Sequence, residues 1–163
     1  MNLKILILIL ILIGCSNIDI KQKVPEFKLL LNEGLVIKSN ELIDSNRPTF
    51  LFFTSPTWAT CHAELRQLKS IYSKYADSVD LFVVVIDPML SIEQIVTYGK
   101  KEEYPWRMAK PLDDMLSKLK VISESTKIAI DAKGYIIYRE SYGGGNLVEY
   151  EEILSLLTAS TTF

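Results

Sequence analysis

The stretch that most constrains the fold runs from Thr49 to Leu65. It opens with a short apolar run, Thr49–Thr54, breaks at Ser55-Pro56 and continues with a different periodicity. The run has the length of a buried strand, and the residues after it repeat with helical spacing on one side, at Leu65, Leu68, Ile71, Tyr72 and Tyr75. A buried strand that leads directly into a helix places the turn at the carboxyl end of a sheet, where open α/β sheets carry their functional residues. We therefore expect an α/β fold with its site at this turn.

Two chemically versatile side chains lie in this region. Cys61 is one of two cysteines in the 163 residues, and His62 is the only histidine. Successive helical residues point about 100° apart, so a Cys–His nucleophilic pair is not expected. Too few cysteines and histidines are present for a conventional zinc site, and we expect no metal and no cofactor. A formal net charge of −2 gives no electrostatic reason to expect a nucleic-acid partner.

The residues around Cys61 resemble the active-site segment of thioredoxin-like thiol–disulfide oxidoreductases, in the envelope-tethered, cytochrome-c-maturation-type branch. In that family a strand is followed by Trp-Cys-x-x-Cys and then by a small residue, Glu and Leu. Cys61 matches the second cysteine, and Ala63-Glu64-Leu65 match the residues that follow. Trp58 stands at the position of the first cysteine. The redox motif is therefore degenerate, and we expect Glu64 to be a solvated helix residue.

The resemblance extends from about Val24 to Leu157. It implies an α/β, thioredoxin-like fold with a central mixed β-sheet flanked by helices and an N-terminal β-hairpin extension. The expected elements are a hairpin around Asn32-Glu33-Gly34, a short helix from Ser39, strands Thr49–Thr54 and Val79–Ile86, helices to about Tyr75 and from Ser91 to about Lys101, a loop at Tyr104-Pro105-Trp106, a short helix after Pro111, a hairpin Lys127–Ser141 and a closing helix Leu147–Leu157.

The second diagnostic feature of the family is a cis-proline that enters the first strand of the closing hairpin and packs beside the cysteines. Counting back from Asp131 places Ser125 at that position. A cis bond before a residue other than proline costs about 3–4 kcal/mol, so we expect a trans bond there. Both diagnostic features of the family are thus altered in this chain.

The beginning of the chain is typical of an exported protein. Ile5–Ile13 is an unbroken run of Ile and Leu, too short for a bilayer-spanning helix, which needs about 20 residues. It ends in Leu-Ile-Gly followed by Cys15, which resembles a bacterial lipobox. The prediction is a lipoprotein signal peptide over 1–15 with lipid on Cys15, a tether over 16–23 and a thioredoxin-like domain over 24–158. The alternatives are an ordinary signal peptide, or a buried strand with a chance cysteine.

The lipobox implies a protein of the bacterial cell envelope, held to a membrane through lipid on Cys15 and facing the periplasm or the exterior. Two functional hypotheses remain open. In the first, the protein has weak or no dithiol activity and binds an envelope protein through the old active-site face around Trp58, Pro56, Trp106 and Ser125. In the second, Cys61 acts as a single-thiol redox group on an envelope partner. Cys61 is accordingly either a buried structural thiol or a reactive one.

Overall fold

The structure, a computed structural model, describes residues 22–142 and 145–160. The predicted signal peptide with Cys15, and the tether as far as residue 21, lie outside the described residues. The strands are β1 Gln22–Lys23, β2 Lys28–Leu30, β3 Val36–Lys38, β4 Thr49–Thr54, β5 Asp80–Val85, β6 Arg107–Pro111, β7 Lys127–Ile130 and β8 Tyr135–Glu140. The α-helices are α1 Ser39–Asp44, α2 Ala59–Tyr72, α3 Ile92–Lys101, α4 Met115–Lys118 and α5 Leu147–Ala159.

The strands form one mixed sheet in the order β1-β8-β7-β4-β5-β6-β2-β3. The central strands β4, β5 and β6 run parallel, whereas β7 runs antiparallel to β4. The hairpin β2–β3 extends the sheet beyond β6, with β2 antiparallel to β6. The predicted mixed sheet with an N-terminal hairpin extension is confirmed.

Helices cover both faces of the sheet, and β4 supplies side chains to both. Phe50 and Phe52 pack on the face covered by α2, α3 and α5, whereas Leu51 and Phe53 pack on the face covered by α1 and α4. Successive side chains of a strand point to opposite faces, so a strand buried on both faces must be apolar at nearly every position. This explains why the β4 segment is a continuous apolar run in the sequence.

The structure differs from the sequence-based expectations at one strand that was not predicted and at the limits of two other elements. Strand β6, Arg107–Pro111, was not predicted, because it contains two cations and no apolar run. Helix α2 ends at Tyr72 instead of near Tyr75, and turns follow in which the Tyr75 N–H donates to the Tyr72 carbonyl at 2.8 Å. Strand β1, Gln22–Lys23, lies within the stretch predicted as a tether and pairs with the beginning of β8.

Candidate functional site

The turn between β4 and α2 lies at the carboxyl edge of the sheet. β5 is parallel to β4 and therefore ends at the same edge. β7 is antiparallel, so its first residues also lie there, and the Ser125 N–H donates to the Phe53 carbonyl at 2.7 Å. The topology thus brings together three of the predicted site residues, Trp58, Cys61 and Ser125.

Trp58 is the N-cap residue of α2, with extended backbone angles, φ −99° and ψ 115°. Its N–H donates to the Ser55 carbonyl at 3.2 Å, which closes the turn after β4. The side chain is 41% exposed. A thiol at this place would benefit from the positive end of the helix dipole, but an indole cannot act as a nucleophile.

Cys61 is the only cysteine in the described part of the chain, and it is a free thiol. It is the third residue of α2 and only 1% exposed, on the same buried face as Leu65 and Leu68. A thiol with so little exposed surface has almost none available for attack on a protein disulfide in this conformation. The packing is that of a structural cysteine.

Ser125 has a left-handed backbone conformation, with φ +62°, and the peptide bond before it is trans. Positive φ is uncommon for residues other than glycine, so surrounding contacts must stabilise it. The N–H of Ser125 is bonded to Phe53, and its buried hydroxyl donates to Glu64 Oε2. Ser125 is therefore anchored by both its backbone and its side chain.

The expectation that Glu64 is solvated is wrong, because its side chain lies under the site with the residue only 4% exposed. Glu64 Oε1 accepts the Gly145 N–H at 3.0 Å and lies 3.3 Å from Lys127 Nζ. Glu64 follows Cys61 by one helical turn and so shares its buried face. The sequence signal that could have located it is Lys127, a cation inside an apolar strand that requires a buried anion.

The charged groups continue across the sheet towards α5, where Glu140 and Glu149 are only partly buried. Lys127 is fully buried, and its Nζ lies 3.0 Å from Glu140 Oε2. The Tyr138 hydroxyl reaches both Glu140, at 2.9 Å, and Glu149 at the beginning of α5. Burial raises the pKa of Tyr138, and its hydrogen bonds to Glu149 and Glu140 raise it further. These groups, together with Glu64 and Ser125, link α2, β7, β8 and α5 below the site.

His62 connects the turn between β4 and α2 to helix α3. Its Nε2 lies 2.8 Å from the Pro56 carbonyl, which accepts, and its Nδ1 lies 2.9 Å from the Tyr98 hydroxyl. A carbonyl only accepts hydrogen bonds, so Nε2 carries a proton and Nδ1 can accept from Tyr98. Burial raises the pKa of Tyr98 and keeps it a donor. Both ring nitrogens are therefore used to hold the turn to α3.

Trp106 does not lie with the other predicted contact residues. It immediately precedes β6, and Arg107 pairs with Phe82 near the beginning of β5, so Trp106 lies towards the opposite edge of the sheet. Its buried ring stacks on Tyr104 at 4.9 Å and meets Tyr72 edge-on at 5.9 Å. Trp106 is a packing residue in this fold.

Four exposed apolar side chains, which we call the apolar row, lie along the carboxyl edge of the sheet, and the sequence analysis identified only one of them. Tyr142 follows β8, Ile122 precedes β7, Trp58 follows β4 and Met89 follows β5. These four strands are neighbours in the sheet in that order. Tyr142 is 60% exposed, Ile122 87% and Met89 86%. Singly exposed apolar residues are common, but four that follow or precede neighbouring strands at one edge form a candidate interaction surface.

The described residues contain neither a metal-binding cluster nor a membrane-spanning helix. Residues 22–142 and 145–160 contain no group of three or more His, Cys, Asp or Glu that could hold a metal ion. No helix in these ranges has the length and apolar character needed to cross a membrane. What the site presents is an exposed tryptophan, a buried thiol and a buried network of charges.

Comparison with solved structures decides the fold class. A thioredoxin-like protein from Porphyromonas gingivalis is similar to this chain with a TM-score of 0.70 at 20% sequence identity, covering 83% of this chain and 92% of that one. The fold is thioredoxin-like. A thiol:disulfide interchange protein from Chlorobium tepidum gives a TM-score of 0.70 at 12% identity, over 85% of this chain and 97% of that one. A thio-disulfide isomerase from Thermus thermophilus gives 0.67 at 20% identity, over 86% and 95%.

The chain matches no protein-family model and no curated protein. The thioredoxin-like fold predicted from the resemblance is confirmed by the solved structures. Within this thioredoxin-like fold, Trp58 and Cys61 flank the first turn of α2, and Ser125 lies across the same edge at the beginning of β7.

Proposed function

We propose that this protein is a thioredoxin-fold lipoprotein of the bacterial cell envelope that binds another envelope protein and has weak or no dithiol activity. The observation that carries this proposal is the pairing of an exposed Trp58 at the start of α2 with a buried Cys61. Dithiol exchange requires an exposed thiolate that attacks and a second thiol that resolves the mixed disulfide. This chain has no thiol at the first position.

The surroundings of Cys61 also favour binding over thiol chemistry. Ser125, at the position that the resemblance assigns to the cis-proline, is bonded to Glu64 and to the Phe53 carbonyl. These bonds tie the loop before β7 to α2 and β4. A site of this kind is preorganised, which reduces the conformational entropy lost when a partner binds.

The proposed partner surface is the apolar row of Tyr142, Ile122, Trp58 and Met89. Exposed aromatic and aliphatic side chains of this kind form the cores of protein interfaces, and tryptophan and tyrosine are enriched at their energetic centres. The proposed occupant is an apolar segment of another envelope protein. This surface replaces the one expected from the sequence, because Trp106 lies elsewhere.

The membrane attachment rests on the sequence. The Ile5–Ile13 run and the Leu-Ile-Gly-Cys ending at Cys15 support lipid on Cys15, with the protein facing the periplasm or the exterior. Six residues separate Cys15 from the first described residue, Gln22. Fully extended, six residues span about 20 Å, so the lipid would hold the domain close to the membrane surface.

The proposal is tested first by thiol chemistry. Insulin reduction by the wild-type domain, with a dithiol to regenerate it, is expected to stay at background. Trp58→Cys is expected to form a disulfide with Cys61, since side chains three residues apart at a helix start are neighbours. Trp58→Ala is the matched control for loss of the ring, and a thermal melt of each variant shows whether it remains folded. Robust wild-type activity that is lost in Cys61→Ser would overturn the proposal in favour of a single-thiol enzyme.

The second readout is contact in intact cells. A photo-crosslinking phenylalanine derivative at Ile122 is expected to capture one discrete envelope protein. The control places the same group at Leu156, an exposed residue near the carboxyl end of α5, where it should capture none. Met89→Ser should reduce the yield from Ile122, and Cys61→Ser should leave it unchanged. Equal yields from both positions, or a yield that depends on Cys61, would contradict binding through the apolar row.

A further inference from the structure

Tyr138 lies between two carboxylates and has one hydrogen to give them. Its hydroxyl oxygen is 2.9 Å from Glu140 Oε2 and within hydrogen-bond distance of Glu149 Oε1. Ionised carboxylates only accept hydrogen bonds. Lys127 Nζ also donates to Glu140 Oε2, but that hydrogen does not lie between Tyr138 and either carboxylate. The one hydroxyl hydrogen can occupy only one of the two contacts of Tyr138, so the other contact requires a second hydrogen.

The charges around this group show where the second hydrogen belongs. Lys127 on β7 supplies the cation, and it lies between Glu64 of α2, at 3.3 Å, and Glu140 of β8, at 3.0 Å. The two negative charges of Glu64 and Glu140 already outnumber the single positive charge of Lys127. Glu149 of α5 would add a third negative charge, while Tyr150, also on α5, presents only its ring to Lys127 Nζ at 6.0 Å.

We propose that Glu140 and Glu149 share one proton, and that this proton is a latch that holds the first turn of α5 against β8. With the proton on Glu149, its carboxyl donates towards Glu140 or Tyr138, and each contact in the group has a hydrogen. Without it, two carboxylates face each other across one hydroxyl. The proposal rests on these contacts and does not depend on the proposed function.

The electrostatic balance at each carboxyl agrees with this arrangement. Burial raises the pKa of Glu149, the hydrogen bond from Tyr138 lowers it and the neighbouring Glu140 raises it, so that the pKa is raised on balance. For Glu140, burial raises the pKa, but hydrogen bonds from Glu149, Lys127 and Tyr138 outweigh it and lower the pKa. Environments that push two adjacent carboxyls in opposite directions are those in which one keeps a proton that the other accepts.

The latch has a defined pH dependence. Because the pKa of Glu149 is raised on folding, its contribution to stability is complete below the unfolded value of about 4.3 and is lost as pH rises through the folded value. The pKa of Glu140 is lowered on folding, so its pH dependence is the reverse: its contribution to stability is lost as pH falls through the lowered pKa. The first turn of α5 is therefore held most firmly between these two values. It loosens at higher pH, together with the contact between Gly145 and Glu64.

The experiment compares Glu149→Gln with Glu152→Gln, an exposed glutamate on the same helix. Amide hydrogen exchange is followed at Glu149 and Tyr150, whose N–H groups bond to Asn146. It is expected to accelerate in the wild type as pH rises, beyond the intrinsic dependence, by about tenfold for each pH unit between the unfolded and folded pKa of Glu149. Glu149→Gln should abolish this excess, since an amide keeps donating at all pH values. Glu152→Gln should behave as the wild type.

Carbon-detected NMR titration of the wild-type glutamate carboxyls gives an independent result that does not require the variants to fold. The latch predicts that Glu149 titrates above its ordinary range and that Glu140 senses the same transition. Titration of Glu149 within the ordinary glutamate range, or an excess exchange rate that persists in Glu149→Gln, would overturn the proposal.

Discussion

Ser125 holds a backbone conformation that proline cannot adopt. Its φ of +62° lies in the left-handed region, whereas the proline ring fixes φ near −65°. Its N–H is bonded to the Phe53 carbonyl, and proline has no N–H to give. Ser125, which the sequence resemblance aligns with a cis-proline, is therefore held in a local structure of its own, in which Glu64 takes part through the serine hydroxyl.

We predict that Ser125→Pro destabilises the domain by about 3 kcal/mol or more, because the φ mismatch, the unpaired Phe53 carbonyl and the lost bond to Glu64 act together. Urea denaturation provides the measurement. Ser125→Ala is the matched control, since it loses only the hydroxyl and should cost about 1–3 kcal/mol. If the two variants were equally stable, the left-handed backbone and the bonded N–H would not be important at this position.

At the scale of elements, Lys127 connects parts of the chain that are distant in sequence. It lies on β7, and its Nζ approaches carboxylates from α2 and β8, while α5 covers it with the Tyr150 ring. A buried cation is costly to desolvate, so it persists only where carboxylates surround it. The same group lies beneath α2 and α5, which also share an apolar cluster on one face of the sheet.

Lys127→Met is predicted to lower the free energy of unfolding by about 3–5 kcal/mol, because it leaves Glu64 and Glu140 without their buried cation. Lys133→Met, at an exposed lysine of the β7–β8 turn, should have almost no effect. Adding Glu64→Gln to Lys127→Met should recover part of the loss, since it removes one unpaired charge. Chemical denaturation of the wild type, the two single lysine variants and the double variant gives the four free energies of unfolding. An equal loss of stability in both single lysine variants would refute the role given to Lys127.

At the scale of the whole molecule, the two buried clusters form from residues that follow the predicted signal peptide. Val24 is the first buried residue of the described chain, and β1 joins Gln22 and Lys23 to β8 before it. The beginning of the domain is thus tied to the edge of the sheet. Attachment through Cys15 would leave this packing unaffected, since the core contains nothing from before residue 24 among the described residues.

Cys15→Ser is predicted to block both lipid attachment and cleavage by the lipoprotein peptidase. Intact mass of protein recovered from membranes would show the expected loss, namely a chain that keeps residues 1–14 and carries no lipid. A chain that begins at Ser16 should nevertheless melt cooperatively, because the described core begins at Val24. Normal processing of the Cys15→Ser protein would refute the lipobox, and a Ser16 chain without a cooperative melt would show that the leader contributes to folding.

Features that depend on neighbouring residues could be predicted from the sequence. The β4–α2 unit follows from an apolar run and a change of periodicity, and the start of α3 from a capping box. In that box the Ser91 hydroxyl accepts the Gln94 N–H at 3.3 Å and Gln94 Oε1 accepts the Ser91 N–H at 2.8 Å. The β7–β8 hairpin follows from its turn, where Asp131 accepts the Lys133 N–H and Gly134 has φ +83°. Each signal lies within a few residues of the feature it predicts.

Features that depend on distant partners were decided by the tertiary structure. β6 is a strand because β5 and β2 pair with its two sides, although its buried pair Met108 and Ala109 is too short to form an apolar run. Glu64 is buried because Lys127, Ser125 and Gly145 supply its hydrogen bonds, and without them a carboxylate on a helix would face solvent. Trp106 could not be assigned to an edge of the sheet before β6 was known to run parallel to β5. Local sequence determines which elements form, whereas burial of a charge and the position of a side chain depend on which elements pack together, and that is a property of the folded chain.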